Sequence, residues 1–193
     1  MTKNILLVGV GGQGTILASK LLIQGLMEAG YDVKMSEIHG MSQRGGSVSS
    51  QVRYGESVQS PVIEKGGADI LVSFEKMEAL RWLEYLREGG KVVVNDYQIN
   101  PMPVVSGVAS YSPNIGAELE AKADVTMLKA FNAAMELGNA RVLNIILLGA
   151  TVEMMALGDI NWDDIIAKEV KPAFVELNKK AFALGRKMVK EEM

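Results

Sequence analysis

The glycine-rich motif Gly9-Val10-Gly11-Gly12-Gln13-Gly14 constrains the fold more than any other part of this sequence. It follows the apolar run from Asn4 to Val10, which is typical of a strand buried on both faces. From Gln13 to Ala29, polar residues recur every four positions among apolar ones, which predicts a helix ended by Gly30. A strand, a glycine turn and a helix in this order predict the first unit of a parallel α/β sheet.

The alternation of strand and helix patterns continues along the first two thirds of the chain. It predicts further strands over 31–36, 47–54, 68–74, 91–95 and 124–128, and a helix over 75–87 stopped by the Gly89-Gly90 pair. The stretch 101–113, rich in Pro, Val and Ser, predicts short extended pieces or an edge hairpin. After about Lys129 the pattern is helical, with Asn161 capping one helix and Pro172 interrupting the last.

We therefore predict one domain over residues 1–193, an α/β domain of three α/β/α layers. It is Rossmann-like, with a mainly parallel sheet and a helical C-terminal part.

Composition excludes several classes of function. The chain has 193 residues, a net charge of −3, no cysteine and one histidine. No basic patch for a nucleic acid is present, and neither a thiolate-held iron–sulfur cluster nor a metal site is expected. The longest apolar-rich stretch, 142–157, contains Asn144 and Glu153 and is too short for a membrane span. We expect a cytoplasmic protein that binds neither nucleic acid nor membrane, and any electron carrier must lie on another chain.

The first glycine segment fits the dinucleotide fingerprint Gly-x-Gly-x-x-Gly. Its glycines allow the backbone to approach a phosphate, and the helix that starts near Gln13 directs unpaired N–H groups toward it. Glu37, at the end of the second predicted strand, stands roughly where a ribose-binding acid would. The alternative is that the glycines only permit a tight turn and close packing.

A P-loop is excluded, because Thr15 occupies the position of the required lysine. The candidate binding residues in this segment are Gly9, Gly11, Gly12, Gln13 and Gly14.

The segment His39-Gly40-Met41-Ser42-Gln43-Arg44-Gly45-Gly46 is the second candidate site. The planar guanidinium of Arg44 suits a phosphate or carboxylate, and the paired glycines suit a close approach of backbone to a ligand or partner. His39 is the one side chain with a pKa near neutrality, so it is a candidate catalytic residue, the alternative being a loop histidine bonded to the backbone. The candidate binding residues in this segment are Ser42, Gln43, Arg44, Gly45 and Gly46.

Three further charged residues are expected to have structural roles. Arg53 could bind an anionic group or pair with an acid such as Glu37. Glu75 and Glu78, at the start of a predicted helix, favour the helix dipole and are assigned nothing more.

Both glycine segments, together with Arg53, Ser60-Pro61, residues 69–75 and Leu80-Arg81-Trp82-Leu83, resemble the gamma-type subunits of 2-oxoacid:ferredoxin oxidoreductases. The resemblance covers nearly the whole chain. Pyruvate-type members carry a Phe-Gly-Pro-Glu-Arg-Arg-Gly-Ala-like version of the second segment. The version present here resembles the small beta-type subunits of the branch that acts on indolepyruvate and other arylpyruvates.

This resemblance implies oxidative decarboxylation of an aryl-2-oxoacid to an acyl-CoA, with electrons passed to ferredoxin. It implies a large alpha subunit that carries thiamine diphosphate and the iron–sulfur clusters, and a small subunit that is inactive alone. The small subunit is then expected to help close the active site and to bind CoA, with Gly11, Gly12, Gln13 and Gly14 on a phosphate and Arg44 on an anionic group.

Two other hypotheses remain at this point. One is a free-standing oxidoreductase that binds NAD or FAD through residues 9–14 and Glu37, although the chain is short for a nucleotide domain plus a substrate domain. The other is a purely structural partner subunit, whose glycine segments pack against the large subunit and bind no ligand.

Overall fold

The computed structural model of the protein describes residues 2–39 and 45–192, with His39 described for its backbone alone. Six strands form one sheet in the spatial order β2-β3-β1-β4-β5-β6. The strands are β1 (Lys3–Val10), β2 (Asp32–His39), β3 (Ser47–Gly55), β4 (Ala68–Ser73), β5 (Leu86–Asn95) and β6 (Asp124–Leu128). The helices are α1 (Thr15–Glu28), α2 (Lys76–Trp82), α3 (Met102–Val105), α4 (Ile115–Glu120), α5 (Ala130–Glu136), α6 (Leu143–Met154), α7 (Trp162–Glu169) and α8 (Val175–Glu192).

The sheet is mainly parallel, as predicted, with one antiparallel strand. β1, β4, β5 and β6 pair in parallel, while β3 lies between β1 and β2 and runs antiparallel to both. The carboxyl ends of five strands and the amino end of β3 therefore meet at one edge of the sheet. Ligands of open α/β sheets bind at this edge.

Helices cover both faces of the sheet, because β1 and its parallel neighbours bury side chains on both sides. In β1, Ile5 and Leu7 belong to one apolar cluster, whereas Leu6 and Val8 belong to another. The first cluster lies under α1 and the helices of the C-terminal part, and the second lies under α2 and α4. This arrangement confirms the predicted three-layer fold with a helical C-terminal part.

The predicted helix over 75–87 is too long. α2 ends at Trp82, a 3-10 turn follows over Leu83–Tyr85, and β5 begins at Leu86. The glycine pair lies inside β5, where Gly89 has φ +67° and the pairing with β4 shifts register. A glycine in the left-handed region allows a bulge within a strand, so here it bends a strand instead of stopping a helix.

The predicted edge hairpin over 101–113 is also wrong. Its one regular element is α3, whose first turn contains Pro103 after Pro101 at the N-cap. Proline suits the first turn of a helix because its missing N–H would be unpaired there in any case.

The predicted boundaries in the C-terminal part are confirmed. Asn161 caps α7, because its Oδ1 accepts from the backbone N–H of Asp164 at 3.4 Å. Pro172 begins a 3-10 turn, Pro172–Phe174, that separates α7 from α8. α8 packs closely on α6, the most deeply buried helix of this face.

Candidate functional site

Gly45 and Gly46, the glycines of the second segment that the structure describes, lie beside the first glycine segment at the carboxyl edge of the sheet. The backbone N–H of Gly11 donates to the carbonyl of Gly46 at 2.8 Å, and the N–H of Gly45 donates to the carbonyl of Gly11 at 3.3 Å. Val10, which precedes Gly11, and Ser47, which follows Gly46, are partners in the β1–β3 ladder. The segments therefore continue the strand pairing beyond the sheet and form one surface.

Gln13 holds the first glycine segment in shape. Its side-chain Oε1 accepts from the N–H of Val10 at 2.7 Å, and its Nε2 donates to the carbonyl of Phe74 at 2.9 Å. Its backbone N–H is bonded to the carbonyl of Val10 at 3.2 Å. The side chain that the sequence assigned to a phosphate is thus occupied inside the protein, and its observed role is to tie the turn to the end of β4.

Close packing explains one of the glycines. A Cβ at Gly9 would lie 2.9 Å from both the Gln13 Oε1 and the Phe74 Cβ. No side chain fits at this position without displacing the Gln13 amide. Close packing, one of the two structural reasons for glycine in this motif, therefore accounts for Gly9.

Gly12 and Gly14 need glycine for their backbone conformation, with φ values of +102° and +85°. Gly14 is the N-cap of α1, and no side chain caps this helix or places an acid in its first turn. A Cβ at Gly12 would meet nothing within 4 Å, whereas one at Gly14 would lie 2.7 Å from the Asn144 Nδ2. The N-terminus of α1 is thus uncapped by side chains, beside open space at Gly12, as an anion site requires.

A cavity of about 470 Å³ adjoins this helix end. Tyr97 and Phe131 form one wall, with their rings stacked at a centroid distance of 4.5 Å. Arg141 lines the cavity and makes no ion pair with the described residues. The space offers a planar apolar surface, a cation and a helix N-terminus, which suits a ligand that combines a ring with anionic groups.

Asn144 forms the floor between this cavity and the start of α1. It is 4% exposed, and its Nδ2 donates to the carbonyl of Gly14 at 3.2 Å. Its Oδ1 is buried and has no hydrogen-bond partner among the described residues. A buried acceptor without a donor is costly, so a ligand N–H or O–H, or a water, would stabilise this side chain.

Sequence reasoning missed this side of the site. The sequence predicts no role for Arg141, and it marks Asn144 only as a polar residue in the apolar-rich stretch 142–157. The available signal was the position of Asn144, a polar residue in the otherwise apolar start of α6. Tyr97 and Phe131 lie just after β5 and β6, and the parallel order of these strands brings them to the same edge.

Two buried carboxylates lie at the start of α2, contrary to the prediction that they serve only the helix dipole. Glu75 is 1% exposed and accepts from the N–H of Glu78 at 3.0 Å, the N–H of Ile99 at 3.2 Å and the hydroxyl of Tyr111 at 2.5 Å. Burial and the hydrogen bond to Glu75 raise the pKa of the Tyr111 hydroxyl. Glu75 thus connects the amino end of α2 to two surface loops.

Glu78 connects α2 to the second glycine segment. It is 4% exposed, and its Oε2 accepts from the hydroxyl of Ser47 at 2.5 Å. Its Oε1 pairs with the Nε of Arg81 at 3.2 Å. Burial raises the pKa of this carboxyl, although the bond from Ser47 and the charge of Arg81 act in the opposite direction.

The remaining predicted residues divide between the site and other positions. His39 ends β2, opposite Val48, which is paired on its other side with Gly9. Its backbone therefore lies at the site edge, two strands from β1. Arg44 lies outside the described residues, as do Ser42 and Gln43.

Glu37 and Arg53 are not brought to the glycine turn. Glu37 lies on β2, which is separated from β1 by β3, and it accepts from the Ser50 hydroxyl at 3.4 Å. The ribose-binding arrangement proposed for it is therefore wrong, since that arrangement needs the second strand beside the first. Arg53 donates to Asn4 Oδ1 at 2.8 Å and to the carbonyl of Ser60 at 2.9 Å, a structural role far from the site.

In the part of the chain that the structure describes, no three His, Cys, Asp or Glu side chains are grouped as a metal ion requires. Over the same residues, no helix is both long enough and apolar enough to traverse a bilayer.

The fold is a three-layer α/β domain with two glycine turns bonded to each other at the carboxyl edge of its sheet. Residues 4–188 match the family model described as pyruvate ferredoxin/flavodoxin oxidoreductase. The chain is 40% identical to the indolepyruvate oxidoreductase subunit IorB of Pyrococcus horikoshii, covering 97% of this chain and 96% of that one. It is also 40% identical to IorB of Thermococcus kodakarensis, over 97% and 96% of the two chains.

A solved structure is similar over nearly its whole length. It is the gamma subunit of a keto/oxoacid ferredoxin oxidoreductase from Geobacter sulfurreducens, with a TM-score of 0.72 and 25% identity over 98% of this chain and 99% of that one. The chain belongs to the pyruvate ferredoxin/flavodoxin oxidoreductase family. It is thus a subunit of a 2-oxoacid oxidoreductase complex, which confirms the class that the two glycine segments predicted and not the free-standing NAD or FAD enzyme.

Proposed function

We propose that this chain is the small subunit of an oxidoreductase that converts indolepyruvate or another arylpyruvate to the corresponding acyl-CoA. In this reaction the 2-oxoacid and CoA yield acyl-CoA and carbon dioxide, and two electrons pass to ferredoxin. The observation that carries the proposal is the 40% identity to two indolepyruvate oxidoreductase subunits over nearly the full chain.

The proposed partner is a large alpha subunit that carries thiamine diphosphate and the iron–sulfur clusters, with ferredoxin docking on the complex. This chain has no cysteine and so cannot hold such a cluster through thiolates. Thiamine diphosphate supplies the carbanion chemistry of decarboxylation when bound. What this chain contributes is the glycine-lined edge, which we expect to close over the reacting groups. A cytoplasmic location stays a prediction.

CoA is the ligand that suits this edge. Its phosphates match the uncapped N-terminus of α1 and the cation Arg141, and its adenine ring matches the stacked Tyr97 and Phe131. Its pantetheine arm carries amide and hydroxyl groups that can donate to the unpaired Asn144 Oδ1. Gly12 leaves open space for the ligand to approach the backbone.

Reconstitution of the complex from this chain and its large subunit tests the proposal. Indolepyruvate oxidation should depend on this chain, and Arg44→Ala should raise the apparent KM for CoA more than tenfold. Arg87→Ala is the matched control, because Arg87 pairs with Asp69 at the opposite edge of the sheet. An unchanged KM for CoA in Arg44→Ala would remove Arg44 from the site.

The purely structural role is the second candidate, and the packing of Gly9 against Gln13 and Phe74 favours it. It predicts a different outcome for Gly12→Ala and Gly45→Ala. Under that role both variants would weaken assembly of the complex and leave the KM for CoA and for the oxoacid unchanged. Under the proposed function the KM for CoA rises in complexes that still assemble.

A further inference from the structure

Ser47 lies where the second glycine segment joins the sheet, opposite the point where the first segment leaves it after Val10. It is the first residue of β3, it is paired with Val10, and it directly follows Gly46. Its hydroxyl donates to the Glu78 carboxylate at 2.5 Å and accepts from the indole N–H of Trp82 at 3.4 Å. Any shift of Ser47 would be passed to Gly46 and, through the 2.8 Å hydrogen bond, to Gly11.

The first glycine segment is held to the same stretch of chain at a second point. The carbonyl of Phe74, four residues before Glu78, accepts from the Gln13 amide at 2.9 Å and from the Asn95 amide at 3.1 Å. The Ser73 hydroxyl in turn donates to the carbonyl of Glu75 at 2.6 Å, which fixes the turn between β4 and α2. Residues 73–78 therefore hold one glycine segment through Gln13 and the other through Ser47.

Packing alone does not explain a carboxylate at position 78, because burying it costs free energy. Glu78 is buried, and Glu75 nearby adds a like charge, both of which disfavour its ionised form. Removing a carboxylate from water costs several kcal/mol unless its partners are well placed, and an apolar side chain of similar size would fill the space without that cost. The carboxylate adds directional bonds to Ser47 and to the exposed side chain of Arg81, and of these only the bond to Ser47 leads to the glycine segments.

We propose that Glu78 is a positioning residue for the CoA-binding edge, and that it acts through Ser47 on Gly46 and Gly11. The inference rests on the proposed function, because it assigns CoA to this edge. Glu78 itself does not contact CoA or the reacting atoms. Its effect is to fix the distance between the two glycine segments, so its loss should weaken CoA binding more than it slows chemistry.

The test compares four variants of this chain in the reconstituted complex, with kcat and the KM for CoA measured separately. Ser47→Ala and Glu78→Leu should each raise the KM for CoA about five- to tenfold and leave kcat within twofold. Glu78→Gln keeps an acceptor for the Ser47 hydroxyl and should stay within about twofold of the unmodified complex. The double variant Ser47→Ala/Glu78→Leu should have a KM for CoA no higher than that of either single variant, since each substitution removes the same hydrogen bond.

Thr151→Val is the control for loss of a buried hydroxyl elsewhere, because the Thr151 Oγ1 donates to the carbonyl of Leu147 inside α6. It should lower the melting temperature and leave the KM for CoA unchanged. The inference is overturned if the Ser47→Ala complex assembles and its KM for CoA equals that of the unmodified complex. It is also overturned if Glu78→Gln raises the KM for CoA as much as Glu78→Leu does.

Arg44→Ala in the same series separates this inference from the proposed function. If Arg44→Ala raises the KM for CoA and Ser47→Ala does not, Glu78 has no positioning role although CoA binds at this edge. If Arg44→Ala and Gly12→Ala both leave the KM unchanged, CoA does not bind at this edge and the inference falls with the proposal.

Discussion

The backbone N–H of Gly11 donates to the carbonyl of Gly46 at 2.8 Å, which makes one surface of two glycine segments that are distant in the chain. One segment follows β1, and the other precedes the antiparallel strand β3. Because β3 enters the sheet beside β1, both segments meet at the edge where α1 begins.

Gly12→Ala should weaken CoA binding, whereas Gly30→Ala should not. Both glycines have a positive φ, of +102° and +86°, and a Cβ at either would meet nothing within 4 Å. Each substitution therefore costs backbone strain of roughly 1–2 kcal/mol without a clash. Gly30 lies beyond the carboxyl end of α1, far from the glycine edge. Its substitution therefore causes the same backbone strain as Gly12→Ala without altering the site. Equal KM values for CoA in the two variants would show that Gly12 serves only the turn.

Arg141→Gln should raise the apparent KM for CoA by about tenfold, since a charge-assisted bond to a phosphate is worth roughly 1.5 kcal/mol or more. Steady-state kinetics of the reconstituted complex give this value. The side chain has no ion pair with the described residues, so its removal should leave the melting temperature within about 1 °C. A destabilised variant with an unchanged KM would assign Arg141 to the fold and not to the ligand.

Gly185→Ala should strongly destabilise the protein, because α6 and α8 touch backbone to backbone. A Cβ at Gly185 would lie 1.9 Å from the Ile146 carbonyl oxygen, and one at Gly149 would lie 2.2 Å from that of Phe182. Neither carbonyl can move away without breaking its helix, so we expect a loss of more than about 3 kcal/mol in denaturant unfolding.

Gly116→Ala is the control for this effect. Gly116 is also helical, but its Cβ would meet only the Met127 Cε at an ordinary 3.7 Å. This substitution should stabilise α4 by roughly 0.5–1 kcal/mol. Similar losses in Gly185→Ala and Gly116→Ala would contradict the close approach of α6 and α8.

Glu153 should make stability depend on acid pH. Its hydrogen bond from Arg186, at 2.8 Å, and its contact with Lys190 hold the pKa of this carboxyl below 4.5. A carboxyl with a lowered pKa in the folded state stabilises the protein above its unfolded pKa, and this contribution is lost as the pH falls through the folded value. Because the pair is near the surface, we expect at most about 1 kcal/mol.

Urea unfolding of Glu153→Gln and the unmodified chain at pH 7 and at pH 3 measures this contribution. The variant should be less stable at pH 7, and the difference should shrink at pH 3. A difference that grows on acidification would contradict the lowered pKa.

The features that sequence predicted are those encoded within one short stretch. The apolar run to Val10, the glycine turn and the helix that follows are neighbours in the chain, and so are Asn161 and Asp164 of the α7 cap. The family could also be predicted, because the glycine segments contain its most specific residues.

What could not be predicted depends on contacts between distant stretches. Nothing local shows that β3 inserts between β1 and β2, and this insertion is what removes Glu37 from the glycine turn. Glu75 and Glu78 have the sequence pattern of exposed residues at the start of a helix. They are buried because Ser47 and Tyr111, from distant parts of the chain, pack against them. Asn144 likewise reaches Gly14 from a helix more than a hundred residues along the chain.

We propose that this chain works as the cluster-free small subunit of a 2-oxoacid:ferredoxin oxidoreductase. Affinity purification of the tagged chain from its own cells, followed by iron and thiamine analysis of the eluate, tests it most directly. We expect a stable complex with a large cysteine-rich chain, and we expect this complex to contain thiamine diphosphate and iron and to oxidise indolepyruvate in a CoA-dependent reaction. Repeated recovery of the chain alone, without iron or thiamine, would contradict it.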